Sequence, residues 1–142
     1  MKILLAVDGS KHAISAVRHV VEHAAWFAEK PQIELLAVHL PVPKLPRMGA
    51  AISKAQLQRY YQEEGEASLS GARRRLEAAG LPFKARVVVG PVAESIVKHA
   101  DETRCDLICI GTRGMTELGG MLLGSTATKV VHLSTIPVLL VK

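Results

Sequence analysis

The residues best placed to do chemistry are glycines. Gly111-Thr112-Arg113-Gly114 is followed by nine residues, 115–123, and then by Gly124-Ser125-Thr126. The first pair follows an apolar run, DLICI at 106–110, that reads as a strand buried on both faces. The third glycine precedes a segment that reads as a helix. Glycine lets a backbone turn sharply and approach a ligand with no Cβ in the way. A helix beginning at 125 presents unpaired N–H groups and a partial positive charge, the chemistry that holds phosphate. Ser125 and Thr126 add hydroxyl donors and Arg113 a full charge. This is not a Walker A loop, because no lysine follows Gly124 and the glycine spacing is too long. Nor is it a dinucleotide fingerprint, which belongs after the first strand, where this chain has only Asp8-Gly9-Ser10. The plain alternative is a Gly-rich surface loop closed by an ordinary Ser N-cap. Placement between strand and helix favours phosphate.

Asp8 ends the first apolar run, facing the same crevice. It either contacts a ribose hydroxyl or a metal bridging phosphates, or it forms the turn and caps the next helix. The residues leave both open. Ser10 reads as a helix N-cap. His19 and His23 are an i,i+4 pair, a spacing that can bind metal, but they lie off the apolar stripe and have no third ligand nearby. They read as a solvated surface pair. His39 reads as a packed or partly buried histidine. Cys105 and Cys109 are too far apart along one strand for a disulfide and read as small buried hydrophobes. No nucleophile elbow, HExxH or helically spaced carboxylate pair is present.

These residues need elements to hold them, and the period and turn signals supply an alternation. Strands are expected at 2–8, 33–40, 83–89, 106–110 and 136–141. Helices are expected at 11–29, 52–79, 92–103 and 125–134. Gly65 and Gly71 predict a bend or break in the second helix. Residues 41–50 hold three prolines and Gly49 and read as a loop. The segment 41–55 is a candidate lid. Strands interleaved with helices imply parallel pairing through right-handed crossovers, an open α/β sheet with helices on both faces. Ligands of such sheets bind beyond the carboxyl ends of the strands, where the strand order switches.

At 142 residues, 49% hydrophobic, the chain suits a single domain over 1–142. That composition excludes disorder, and no apolar run approaches the ~20 residues of a membrane span. The first residues reach Asp8 without a secretory apolar core, so a cytoplasmic location is expected. A net charge of +5 invites a nucleic-acid reading. The one basic run, Arg73-Arg74-Arg75, spreads around a helix instead of forming a stripe, and 4% aromatics leave few stacking platforms. No nucleic-acid partner is expected.

With these placements made, the chain resembles the universal stress proteins. The resemblance runs through ILLAVDGS at 3–10, VHL at 38–40, GPVAESIVKHA at 90–100, DLICIGTRGMTELGGMLLGSTATKVV at 106–131 and PVLLV at 137–141. The G-x2-G-x9-G-[ST] pattern is complete as Gly111, Gly114, Gly124 and Ser125 and marks the branch whose members bind ATP. The stretch 41–82 is not diagnostic. The resemblance implies a Rossmann-like five-stranded parallel sheet of order 3-2-1-4-5. It implies that Ala6, Val7 and Asp8 line an adenosine pocket, that Leu40 contacts adenine, and that Ile110, Gly111, Gly114, Gly124, Ser125 and Thr126 bind ribose and phosphate. It implies Asp8 as the metal contact, through phosphate-bound Mg or Mn. It also implies a homodimer through strand 136–141, and an apolar edge strand recruits a partner on physical grounds as well.

The expected function is an ATP-binding, homodimeric, nucleotide-responsive stress module, with slow hydrolysis at most. One alternative is a slow nucleotide-hydrolysing enzyme of the adenine-α-hydrolase type. Its ATP pyrophosphatase relatives carry an SGGxDS-like loop where this chain has VDGSKH. A ligand-free structural dimer is the other, and the intact glycines weigh against it.

Overall fold

Two apolar runs make the middle of the sheet. Strands β1 (Lys2–Ala6) and β4 (Leu107–Gly111) pair in parallel, Ile3 beside Leu107 and Ala6 beside Ile110. Ile3, Leu4, Leu5, Ile108 and Cys109 are fully buried. A central parallel strand is covered on both faces, so neither face tolerates polar residues. The molecule is described by a computed structural model over residues 1–43, 53–114 and 123–142.

Strand β2 (Gln32–His39) lies on the other side of β1, β3 (Phe83–Val89) outside it, and β5 (Val138–Val141) outside β4. The order is β3-β2-β1-β4-β5 and every pairing is parallel. Alternation along the strands builds two cores. Ile3, Leu5 and Leu35 face helices α1 (Lys11–Glu22) and α2 (Lys54–Ala78). Leu4, Leu36 and Ile108 face α3 (Val92–Glu102) and α4 (Ser125–Leu133).

The boundaries differ from the sequence expectation in instructive places. Ser10 caps α1 as expected, accepting from the Ala13 N–H at 3.2 Å. The helix does not run to 29. It ends at Glu22, and Ala24–Trp26 tighten into a 3-10 turn. That turn leaves both Ala24 and Phe27 packed on the core. Helix α2 is not broken at either glycine and runs from Lys54 to Ala78. Gly65 is buried against β3, and a Cβ there would stand 2.4 Å from a Val87 methyl carbon, so this glycine permits close packing. Ser53 and Gln56 form a reciprocal capping box at the start of α2. At its end Gly80, with φ +61, lets the Leu81 N–H return to the Leu76 carbonyl at 3.0 Å.

The basic run is divided: Arg73 pairs with Glu66 at 3.2 Å and Arg75 donates to the Gly71 carbonyl. Cys105 and Cys109 are both free and buried, and burial pushes the Cys109 thiol up to about 12. Among the described residues no helix is long and apolar enough to cross a membrane. The expected loop at 41–50 and lid at 41–55 fall largely outside the described residues.

Candidate functional site

From β1 the chain steps outward to β2 and β3; from β4 it steps the other way, to β5. A crevice therefore opens beyond the carboxyl ends of β1 and β4, the switch point of the sheet. A cavity of about 170 Å³ lies there. Apolar cavities of ~150 Å³ admit a benzene-sized ring, so this one can take a heteroaromatic ring with the rest of a ligand outside.

Its inner wall is apolar. Ala6 and Val7 come from the end of β1, Leu36 and Val38 from β2, Val92 and Ile96 from α3, and Ile110 from β4. Leu36 and Val38 reach it together because alternate strand residues share a face. Leu40, expected at the adenine, is not among the described residues that line it. Strand β2 stops at His39, Pro41 follows, and Leu40 lies beyond the ladder with 66% of its surface exposed. His39 alternates to the opposite face, partly buried, with Nε2 lacking a hydrogen-bond partner. Sequence reasoning did not single out Leu36, Val38, Ala13, Val92, Ile96, Thr112 or Ala127 as lining residues. The parity of β2 and the four-residue step from Val92 to Ile96 on α3 were the available signals.

The outer wall is polar and built on backbone. Gly9, with φ +82, turns the chain after Asp8, and the Ser10 N–H donates to Asp8 Oδ1 at 2.9 Å. Asp8 thus forms the turn, Ser10 caps the helix, and Asp8 also lines the cavity. Its second oxygen, Oδ2, faces Gly114: a Cβ on that glycine would stand 2.8 Å away. Gly111 allows β4 to run against the start of α1, where a Cβ would meet the His12 carbonyl carbon at 2.6 Å.

Gly124 closes the loop by donating its N–H to the Thr112 carbonyl at 2.7 Å. It is the N-cap of α4 and offers no side-chain cap. The first-turn N–H groups of α4 thus have no side-chain cap, and Ser125, Thr126 and Ala127 line the cavity. Arg113 is the lysine or arginine, and Asp8 the carboxylate, among the described lining residues. The donor set suits an anion with an apolar ring: backbone N–H groups, the Ser125 and Thr126 hydroxyls and a guanidinium on one side, aliphatic carbons on the other. Two of the flanking helices are tied together by Lys129 and Glu94, and this pairing holds the Glu94 carboxyl below the usual range. Among the described residues no group of three or more His, Cys, Asp or Glu could hold a metal ion.

The fold and this cavity define an open parallel α/β domain whose site lies at the strand carboxyl ends, walled by a glycine loop and a helix N-terminus. The chain belongs to the universal stress protein family, whose profile matches residues 1–142. It is 34% identical over 142 residues to Universal stress protein MJ0531 of Methanocaldococcus jannaschii, covering 99% of this chain and 81% of that one. The solved structure of MJ0577, from the same archaeon, superposes with a TM-score of 0.80 at 32% identity, covering 99% of this chain and 94% of that one. A universal stress protein solved in complex with cAMP superposes with a TM-score of 0.70 at 28% identity, covering 100% and 97%.

Proposed function

We propose that the cavity binds an adenine nucleotide, ATP, and that the protein works as a homodimeric, nucleotide-responsive module of the cytoplasm. The carrying observation is the junction of Gly124 with Thr112, which sets the N-terminus of α4 at the mouth of an apolar cavity. The base would lie among Leu36, Val38, Ile96 and Ile110. The phosphates would take the N–H groups of Gly114 and of Gly124–Thr126, the Ser125 and Thr126 hydroxyls and the Arg113 charge. The relative solved with cAMP supports an adenine ligand. Asp8 would accept from a ribose hydroxyl. It could also approach a Mg or Mn ion carried by the phosphates, whose own oxygens and water would supply the remaining contacts.

Dimerisation is proposed through β5. Its four residues are half-buried, β4 pairs one side of it, and the exposed Val131 and Leu133 lie on the neighbouring α4. A second β5 would extend the sheet and cover this apolar margin. Binding would then act by favouring one of two states, which requires different affinities for them.

Denaturing the purified protein and assaying the supernatant for nucleotide, then titrating the stripped protein with ATP by calorimetry, tests the reading. Saturable heat is expected. Stripped, folded protein giving no heat at millimolar ATP overturns it.

A further inference from the structure

His19 and His23 are not the loose surface pair that their spacing alone suggested. α1 ends at Glu22, and the turn Ala24–Trp26 brings the tryptophan back against both rings. The two imidazoles lie 4.1 Å apart, tilted by 32°. Trp26 stands edge-on to His23 with centroids 4.0 Å apart, and to His19 at 6.2 Å. Both histidines are half-buried by this packing, while Trp26 is 74% exposed.

One contact fixes the chemistry of the pair. His23 Nδ1 lies 2.7 Å from the His19 carbonyl oxygen. A carbonyl only accepts, so Nδ1 carries the hydrogen, and in the neutral ring Nε2 keeps its lone pair. Metal-binding histidines are commonly held this way. One ring nitrogen donates to a backbone carbonyl or carboxylate, which orients the ring and makes the other nitrogen more basic.

We infer that His19 and His23 form a two-imidazole site for a divalent transition metal, Cu²⁺ foremost, at the end of α1. Two cis ring nitrogens bound at ~2.0–2.1 Å to one ion lie roughly 2.9 Å apart in the square-planar geometry of Cu²⁺ and roughly 3.4 Å apart in a tetrahedral one. The i,i+4 spacing puts both rings on one helical face with centroids 4.1 Å apart, so rotation about the side-chain torsions turns one nitrogen of each toward a shared ion. Imidazole suits Zn, Cu and Ni, and Cu²⁺ heads the affinity order for divalent first-row metals. Water completes the coordination, because this pair provides two protein ligands. None of the three aromatic residues lines the nucleotide cavity, so the site stands independently of the ATP reading.

Trp26 is the sole tryptophan of the chain and touches His23, which makes it an internal reporter. CuCl₂, NiCl₂ and ZnCl₂ are titrated into the full-length protein at neutral pH while Trp26 emission is followed. Cu²⁺ should quench it saturably at one ion per chain, more tightly than Ni²⁺ or Zn²⁺. His19→Ala and His23→Ala should each weaken Cu²⁺ roughly tenfold or more, while His132→Ala leaves it unchanged. Electron paramagnetic resonance of the Cu²⁺ complex should show coupling to imidazole nitrogen. Absence of saturable quenching overturns the site. So does quenching that persists in a His19→Ala/His23→Ala double variant with parental circular dichroism, or a Cu²⁺ spectrum without imidazole coupling.

Discussion

Asp8 and Gly114 meet across the crevice between β1 and β4. A Cβ on Gly114 would stand 2.8 Å from Asp8 Oδ2. Asp8 cannot swing aside without cost, because its other oxygen accepts from the Ser10 N–H at 2.9 Å at the start of α1. The two residues share one small space at the mouth of the cavity. Gly114→Ala is therefore expected to displace the carboxylate or the loop and weaken ATP binding about tenfold or more, about 1.4 kcal/mol. Calorimetry measures the affinity, and urea unfolding checks that the fold survives. In Asp8→Ala/Gly114→Ala the clash is relieved, so its stability should return towards that of Asp8→Ala. Unchanged ATP affinity in folded Gly114→Ala would remove this contact from the binding site.

Gly124 is constrained by space and not by backbone angle. Its φ of −72° and ψ of 155° suit any residue, but a Cβ would lie 3.3 Å from the Thr112 carbonyl oxygen and 3.4 Å from Arg113 Cα. Gly124→Ala should cost a fewfold in ATP affinity through a small shift of residues 112–113. Gly124→Val adds two methyls where the loop and the α4 N–H groups converge and should abolish measurable binding. Thermal melts show what the substitution costs the fold, since the residue is the N-cap of α4. Parental calorimetric affinity in Gly124→Val would show that the phosphates bind elsewhere.

What could be read in advance follows from where the physics is local. KILLA and LICIG announce central strands because burial on both faces leaves a continuous apolar run. The glycine loop was legible because close backbone approach demands that residue type. Strand order was not: periodicity shows that a segment is a strand but not which strand lies beside it, and the order came from the family resemblance. Leu40 lies past the end of β2, because that end is set by the ladder and by Pro41. α1 was drawn too long because the His23 ring closing on the His19 carbonyl, and Trp26 packing on it, are contacts no periodic pattern records. Val38, Val92 and Ile96 went unmarked because an apolar residue lining a cavity has the same pattern as one filling a core.

Gly65 reads as a weak point of α2 by propensity, yet it is a packing requirement. A methyl there would stand 2.4 Å and 2.5 Å from the two Val87 methyl carbons on β3. Gly65→Ala gains about 1 kcal/mol of helix propensity. Forcing α2 off the sheet costs more, so a net destabilisation of about 1–2 kcal/mol is expected, within the ~1–3 kcal/mol range for overpacked sites. Gly65→Ala/Val87→Ala should recover part of it, because removing the Val87 methyls opens the space. Urea midpoints of the single and double variants measure both effects. A Gly65→Ala protein more stable than the parent would show that the helix shifts without penalty.

His99 gives the fold an acid sensitivity of predictable sign. It sits on α3 with 5% of its surface exposed, and its Nε2 is 3.7 Å from the Glu34 carboxylate on β2, an ion-pair distance too long for a hydrogen bond. Lys2 of β1 approaches the same carboxylate at 3.7 Å and donates to the Thr103 carbonyl, while Arg86 of β3 and Glu102 of α3 also act on the imidazole. Burial first, and the Arg86 charge second, lower the His99 pKa below its ordinary value, against the pull of Glu34 and Glu102. The unfolded chain therefore takes up this proton at a higher pH than the folded protein does. Above the unfolded value of about 6.5 neither state holds the proton and His99 adds no slope. As pH falls below it, the unfolded state gains the proton first and stability drops, by at most about 1.4 kcal/mol per pH unit for this one group, until the folded pKa is passed. His99→Gln removes the titration and should flatten this part of the profile relative to the parent. Urea unfolding of both proteins in steps from neutral to mildly acidic pH makes the comparison, and titrating groups remote from His99 cancel in the difference. A difference that stays constant across the range, or a parent that gains stability over His99→Gln as pH falls, would contradict the lowered pKa.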